Sequence, residues 1–302
     1  MKLTTREDYL DRIRRVLRFV QEHLDDTLTP ARLADVAHLS PYHFHRIFSG
    51  IVGESISSHV RRLRLERAAG ELRRTDRDVI DIALGAGYEA HEPFTRAFRE
   101  HFGTPPSAFR KLEGPLAVPP ALCGVHYGPD EAVSRFVPLE EGTKMIDVRL
   151  QTLPTRRLLA LAHHGEYQDI GPTFGRLMQE AGSRGLLGPG SVSLGIYYDD
   201  PETTPVDQLR AHACVTVADA MREAPAGFEL LTLDGGDFAV GVHRGPYTTL
   251  KDSYRWLFGQ WLPSSGRDAA SAPCFEVYVN DASTAAPPDL ITEICVPLAA
   301  AV

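Results

Sequence analysis

Tyr42, His45, Arg46 and Ser49 can each hydrogen-bond the edge of a nucleic-acid base, and their spacing lets them act together. They stand in the stretch from Ser40 to Val52, where Phe44, Ile47, Phe48 and Ile51 recur at i, i+3, i+4 and i+7. That recurrence is one apolar stripe on a helix, and it leaves the four polar residues on the opposite face. A core helix with a wet back shows the same stripe. The run Phe94-Thr95-Arg96-Ala97-Phe98 sets this helix apart, because it repeats the F-x-R-x-F of Phe44 to Phe48 at an offset of 50. The same helix is built twice, each time with an arginine facing away from the core. Arginine pairs bidentately with guanine, so the duplication points to the reading of DNA.

Other chemistries find little support. No G-x-S-x-G, Walker loop or dinucleotide fingerprint occurs. His163-His164 and the pair His43/His45 lack Cys or carboxylate partners at a metal-like spacing. Cys123, Cys214, Cys274 and Cys295 form no C-x-x-C and read as reduced, mostly buried thiols. No cofactor and no metal are expected. Apolar runs are far shorter than a membrane span, and the N-terminus lacks the apolar core of a secretion signal, so the expected location is cytoplasmic.

The 302 residues can hold two ordinary domains. Residues 1–112 carry 19 Lys/Arg against 16 Asp/Glu, whereas residues 113–302 carry 13 against 24. Phosphate binding needs local rather than total positive charge, so the overall −8 does not exclude a nucleic-acid partner.

The elements that must position the two arginines follow from periodicity and caps. A first helix carries Tyr9, Ile13, Val16, Leu17, Val20 and Leu24. Thr29-Pro30 opens a second, and the turn His38-Leu39 leads to the helix from Ser40, a helix-turn-helix. A longer helix from Ser57 to about Arg74 carries Arg61, Arg62, Arg64, Arg67, Arg73 and Arg74, a basic face that is either solvated or turned to phosphate. The motif then recurs, with Ala83 and Tyr88 standing 49 residues after Ala34 and Leu39. Gly103-Thr104-Pro105-Pro106 ends the second unit.

Ile82-Ala83, Gly87-Tyr88, Phe94 to Arg99 and Phe102 to Ser107 with Arg110 resemble the signature of AraC/XylS-type transcription regulators, over residues 10–111. The resemblance implies base-facing roles for Tyr42, His45 and Arg46 in the first reading helix. In the second it implies them for His91, Glu92, Pro93 and Arg96, and Arg61, on the basic face of the connecting helix, is the candidate phosphate contact. Two departures stand out. His59 replaces a more usual aromatic, and Glu92-Pro93 replaces a commonly polar pair, so the second helix is expected to read fewer bases.

Residues 113–144 are rich in Pro and Gly and form a linker, partly extended and packed on its neighbours. A second duplication follows. Gly165-Glu166-Tyr167 matches Gly245-Pro246-Tyr247, and Phe174 and Leu177 match Tyr254 and Leu257, at an offset of 80. Tyr197 to Asp200 matches Tyr278 to Asp281, and Cys214-Val215 matches Cys295-Val296, at 81. Each copy reads strand, helix, strand, strand, with a groove expected between the two helices.

His243 to Tyr247, Trp261 to Gly266, Phe275 to Tyr278 and Thr292 to Ile294 resemble the GyrI-like effector-binding domain, over nearly all of residues 145–300. The fold class is therefore multi-domain. An all-α double helix-turn-helix domain spans 1–112, a linker 113–144, and an α+β domain of two strand-helix-strand-strand repeats 145–302. In related domains a buried glutamate and aromatic residues bind apolar cations. Glu276 fits that role, since strand alternation puts it on the face of Tyr278, and its repeat counterpart Gly195 would leave room opposite the carboxylate. Glu293, whose counterpart is His212, is the competing acid. Tyr167, Tyr247, Trp256 and Tyr278 are candidate walls. The joint resemblance implies a regulator without catalytic residues. It would bind promoter DNA as a monomer, take a small apolar or cationic effector and work with RNA polymerase, away from membranes. A small-molecule hydrolase or a protein-interaction module fused to the reader is the alternative.

Overall fold

Local capping chemistry sets the helix starts in the computed structural model of the protein, which describes residues 5–128, 133, 135–140, 145–199, 201, 204–280 and 282–300. Helix α1 spans Thr5–Glu22, α2 Pro30–Ala37 and α3 Pro41–Val52. Thr29 accepts from the Arg32 amide and Ser40 from the Tyr42 amide, with a proline in each first turn. His38 makes the tight turn between α2 and α3 in the left-handed region, at φ 52°. Its counterpart in the second unit is Gly87, at φ 83°. That unit comprises α5 (Val79–Gly85) and α6 (His91–Phe102), followed by the short α7 (Pro106–Phe109).

The connecting helix α4 spans Ile56–Arg74. Most of its arginines turn inward, which corrects the expectation of a solvated or phosphate-facing row. Arg62 is buried, with Nη2 2.6 Å from Glu54 and Nη1 2.8 Å from both Glu66 and the Val125 carbonyl. Arg64 holds the Leu24 carbonyl, Arg67 those of Gly85 and the Asp25 carboxylate, and Arg73 that of Gly114. Arg67 thereby ties the first helix-turn-helix unit to the second, Arg62 and Arg73 tie α4 to the segment after residue 112, and Arg61 and Arg74 stay exposed.

The second half forms one eight-stranded antiparallel sheet, in the order β1-β6-β8-β7-β3-β4-β2-β5. Its strands are β1 (Asp147–Leu153), β2 (Arg156–His164), β3 (Ser193–Tyr197), β4 (Arg210–Val217), β5 (Glu229–Leu233), β6 (Gly236–Arg244), β7 (Phe275–Tyr278) and β8 (Ile291–Pro297). Helices α8 (Gly171–Ser183) and α9 (Leu250–Trp256) belong one to each repeat. Each repeat is strand-helix-strand-strand, β2-α8-β3-β4 and β6-α9-β7-β8. Each also receives an edge strand that the sequence pattern did not predict. β1 precedes the first repeat but pairs with β6 of the second, while β5 pairs with β2 of the first. This exchange joins the copies beyond their junction at β3 and β7.

Packing divides the chain differently from composition. One apolar core contains Tyr9, Phe44 and Phe48 of the first unit and Leu257, Phe258 and Val296 of the second repeat. Cys123 and Val125, inside the expected linker, are fully buried in it. The second unit has a separate core around Phe94, Phe98 and Phe109. Helix α9 runs on through a widened π turn, Leu257–Trp261, into Leu262–Ser264. Pro263 explains the widening: it has no N–H, and its ring would strike the carbonyl four residues back, on Gly259. At that turn α9 crosses α3 so closely that a Cβ on Gly50 would sit 2.7 Å from the Gly259 Cα.

The Arg62 cluster makes a stability prediction. Burial raises the Glu54 carboxyl, but the hydrogen bonds from His59 and Arg62 win and lower it from 4.5 to about 2. Its contribution is therefore full above pH 4.5 and lost as pH falls toward 2. Arg62→Ala strands two acids and should cost about 3–5 kcal/mol at pH 7 in urea denaturation, a deficit that narrows below pH 4.5.

Candidate functional site

At the repeat junction Gly195 lies directly opposite Glu276, and Leu194 opposite Val277. Alternation along β7 sends Phe275 and Val277 to one face and Glu276 and Tyr278 to the other. The second face carries the helices. Tyr254 of α9 donates its hydroxyl to Glu276 Oε1 at 3.0 Å, and Phe174 of α8 meets the Tyr278 ring edge-on at 5.3 Å. Tyr278 donates to Glu276 Oε2 at 3.1 Å, and the Tyr197 hydroxyl lies 2.5 Å behind it. A relay of phenols thus ends on one buried carboxylate. Burial raises the Glu276 carboxyl above its ordinary 4.5, against the opposing pull of Tyr254, Tyr278 and the Arg46 guanidinium. Burial, then the Glu276 charge, pushes the Tyr254 and Tyr278 phenols well up, so both remain donors.

Gly195 works differently from the expectation. A Cβ there would fall 2.8 Å from the Tyr197 ring and 2.9 Å from the Tyr278 hydroxyl. The space it leaves is filled by the phenol pair that serves Glu276, not left open opposite the carboxylate. Tyr167 packs its ring on Tyr197 at 4.9 Å, and its hydroxyl lies 3.1 Å from the Asp199 and Arg210 carbonyls. Tyr247 stands half-exposed at the mouth, 5.6 Å from the Tyr278 ring. Trp256 is not a wall: it is buried in the shared core. Tyr254, Tyr197 and Phe174 are walls that were not singled out, although Phe174 and Tyr254 are equivalent in the two repeats.

Glu293 also departs from its expected role. It borders the cavity, but Val277 is its partner in the register, which puts its side chain on the face away from Glu276. Its carboxylate is held there by Arg149 of the edge strand.

The cavity around Glu276 measures about 1820 Å³, and its far wall is α3. His45, Arg46 and Ser49 line it, with Glu54 and Ser55 at the start of α4. Arg46 donates from Nη1 to the Tyr42 carbonyl at 2.9 Å, and its guanidinium carbon lies 4.9 Å from the centre of the Tyr254 ring. His43 has Nε2 3.0 Å from the Ala270 carbonyl and stacks on Phe258. Burial, then Arg46, lowers its pKa to about 4, so the neutral ring donates to that carbonyl. The same causes lower His45 well below its ordinary value. Tyr42 and His45 are half-buried. In α6, by contrast, His91, Glu92, Pro93 and Arg96 are exposed, and His91, Glu92 and Arg96 line one open surface groove with Arg99.

Among the described residues Glu54, His59 and Cys123 bring potential metal ligands together. Arg62 Nη2 lies 2.6 Å from Glu54, 3.1 Å from His59 Nδ1 and 3.9 Å from Cys123, so a guanidinium occupies the place of a cation. His163 bonds Thr173 and the Glu166 carbonyl, as its repeat counterpart His243 bonds Ser253 and the Pro246 carbonyl. Both hold a turn against a helix. Among the described residues no helix is long and apolar enough to cross a membrane.

Comparison with known proteins gives two family matches, a helix-turn-helix domain over residues 33–112 and a GyrI-like small molecule binding domain over 146–299. The Right origin-binding protein of Escherichia coli (strain K12) is 26% identical over 260 residues, covering 83% of this chain and 84% of that protein. Transcriptional regulator Rob of Salmonella typhimurium is 25% identical over 264 residues, with the same 83% and 84%. An uncharacterized HTH-type transcriptional regulator of Bacillus subtilis, YbfP, is 37% identical over 102 residues, and the match spans 34% of this chain and 35% of that one. Among solved structures, the EcmrR C-terminal domain superposes with a TM-score of 0.42 at 17% identity, over 52% of this chain and 99% of that one.

The raised Glu276 carboxyl has a consequence for stability. Folding is favoured with the carboxyl neutral, so its contribution is full below pH 4.5 and lost as pH rises through the folded value. Glu276→Gln, which mimics the neutral form, should match the wild type in acid and exceed its stability at neutral pH. Denaturation midpoints of both proteins between pH 4 and 8 measure this, on the scale of about 1.4 kcal/mol per pKa unit.

Proposed function

The chain belongs to the GyrI-like small-molecule binding family, here joined to an AraC-type helix-turn-helix domain, and from that premise we propose how each half meets its ligand. The protein is a DNA-binding transcription regulator. Its reading helices are α3, through Tyr42, His45 and Arg46, and α6, through His91, Glu92 and Arg96, with Arg61 on the backbone phosphates. One chain holds both readers across α4, whose 19 residues span roughly 28 Å, close to the ~34 Å between successive major grooves. A monomer therefore covers an asymmetric site of about two turns, and RNA polymerase is its partner at the promoter. Glu92 repels phosphate and Pro93 cannot donate, so α6 contributes affinity more than base choice.

The effector is a lipophilic cation, and the protein binds it without turning it over. One observation carries this reading: Glu276 is a buried carboxylate, 7% exposed, bonded by two phenols inside an aromatic cavity. Burying that charge is costly, and a bound cation offsets the cost while stacking on the tyrosine rings. Binding has to be measured on the full chain, because a 145–302 fragment would expose Leu257 and Phe258, which pack on α3.

Two outcomes are expected. A benzyl-substituted quaternary ammonium should bind more tightly than its uncharged carbon isostere, and Glu276→Gln should cut that preference about tenfold, worth ~1.4 kcal/mol. Tryptophan quenching reads both, and equal affinity for the charged and neutral compounds rejects the receptor. In binding-site selection Arg46→Ala should broaden the selected sequence, at about 1–3 kcal/mol of lost discrimination, while Arg96→Ala should mainly weaken binding.

A further inference from the structure

The effector cavity and the first DNA-reading face are the same place. Arg46 is central to both. On DNA its guanidinium would face a guanine; in this structure it lies over Tyr254, 4.9 Å from the ring centre, and acts electrostatically on Glu276. Tyr254 is also the residue that donates to Glu276. The reading helix therefore places its own cation where a planar or quaternary cation would stack. Three further contacts hold α3 there. The backbones of Gly50 and Gly259 touch, His43 bonds the Ala270 carbonyl at 3.0 Å, and the Leu139 amide bonds the Ile51 carbonyl at 2.7 Å.

We infer that Arg46 is the resident occupant of the cation subsite formed by Tyr254 and Glu276, and that a lipophilic cation binds there by displacing it. The inference rests on the proposed roles of α3 and of the cavity. Two mutual exclusions follow. DNA excludes docked α3, because the major groove and the cavity need the same face of the helix. The cation excludes docked Arg46, because both need Tyr254 and Glu276. Two exclusions in series make a positive coupling, so the cation raises DNA affinity, and by reciprocity DNA raises cation affinity. Helix α6, whose His91, Glu92 and Arg96 are exposed, is free to engage DNA in either arrangement. The effector thus governs recruitment of the first reader rather than of both.

The test uses the full chain and a DNA site obtained by selection. The affinity for that site is measured in the absence of ligand, with a benzyl-substituted quaternary ammonium, and with its uncharged isostere. The expected result is a tightening by about tenfold with the cation alone. Gly259→Val removes the close crossing without touching a reading residue or a cavity wall. It should bind DNA as tightly without the cation as the wild type does with it. Hydrogen exchange on the wild type gives an independent reading should that variant not fold. The cation should accelerate exchange in α3 and at 257–261 while leaving α6 unchanged. Cation binding with weaker DNA affinity, or with slower exchange in α3, would mean that the ligand clamps the helix, and overturns the displacement. Cation binding with neither change overturns the coupling alone. Failure of the cation to bind at all removes the receptor reading and this inference together, and failure to bind any selected DNA removes the reader assignment.

Discussion

Two glycines in backbone contact decide how this chain is put together. Gly50 lies in the middle of a helix, where glycine costs about 1 kcal/mol relative to alanine, and Gly259 lies in the π turn that Pro263 imposes. Neither has a Cβ, so α3 and α9 approach to a distance that any other residue would prevent. Much else follows from that approach. It brings Phe258 over His43 and Arg46 over Tyr254, and it lets the apolar stripe of the first helix-turn-helix share a core with β8. The segment around Cys123 and Val125 closes over the same core, with Arg62 as its fastening. A boundary drawn by composition near residue 112 therefore cuts through one packed body, while the second helix-turn-helix keeps a core of its own.

The other constraint is the symmetry of the sheet. The junction pairs β3 with β7 antiparallel, so Gly195 meets its own repeat counterpart, Glu276, at the centre of the seam. At the pair Gly195 and Glu276 one copy supplies a carboxylate and the other supplies space. Phenols from both repeats fill that space, Tyr197 from the first and Tyr278 from the second, and they reach Glu276 as a chain. An alanine at 195 would meet both hydroxyls. The acid is thus satisfied where the copies differ, Glu276 against Gly195 and the donor Tyr254 against Phe174.

Much of this was legible in the residues. Both helix-turn-helix units, their caps, the repeat offsets and the face of Glu276 follow from periodicity and alternation, which are local. The missing parts are those that depend on contact between distant segments. Edge strands β1 and β5 are exposed along much of their length, and alternation such as that of Val148 and Leu150 with Arg149 and Gln151 marks a strand without saying which strand it pairs with. Trp256 and Tyr254 are two residues apart on one helix, and only its rotation says which meets the core and which the cavity. The basic row of α4 looked like a phosphate surface because the acids and carbonyls that bind Arg62, Arg64 and Arg67 lie elsewhere in the sequence. Gly50 was a visible signal. A glycine inside a capped, otherwise regular helix calls for a close neighbour, although nothing in the sequence says which.

Arginine is the side chain that could join the two halves in this way. Its planar guanidinium reads a guanine edge bidentately, and the same plane stacks on a tyrosine while remaining charged beside a carboxylate. A lysine would keep the charge and lose both planar interactions. The first half of the chain is mildly basic and the second strongly acidic, so the docking of Arg46 near Glu276 also follows the sign of the charge on each side. These attractions are intramolecular and need only be modest to hold α3, since the Gly50 crossing already brings the groups together. A modest attraction is also one that a small cation at ordinary concentrations can replace. The chemistry that recognises the effector is in this way selected by the chemistry that recognises DNA: what fits the cavity must resemble the guanidinium that reads the base.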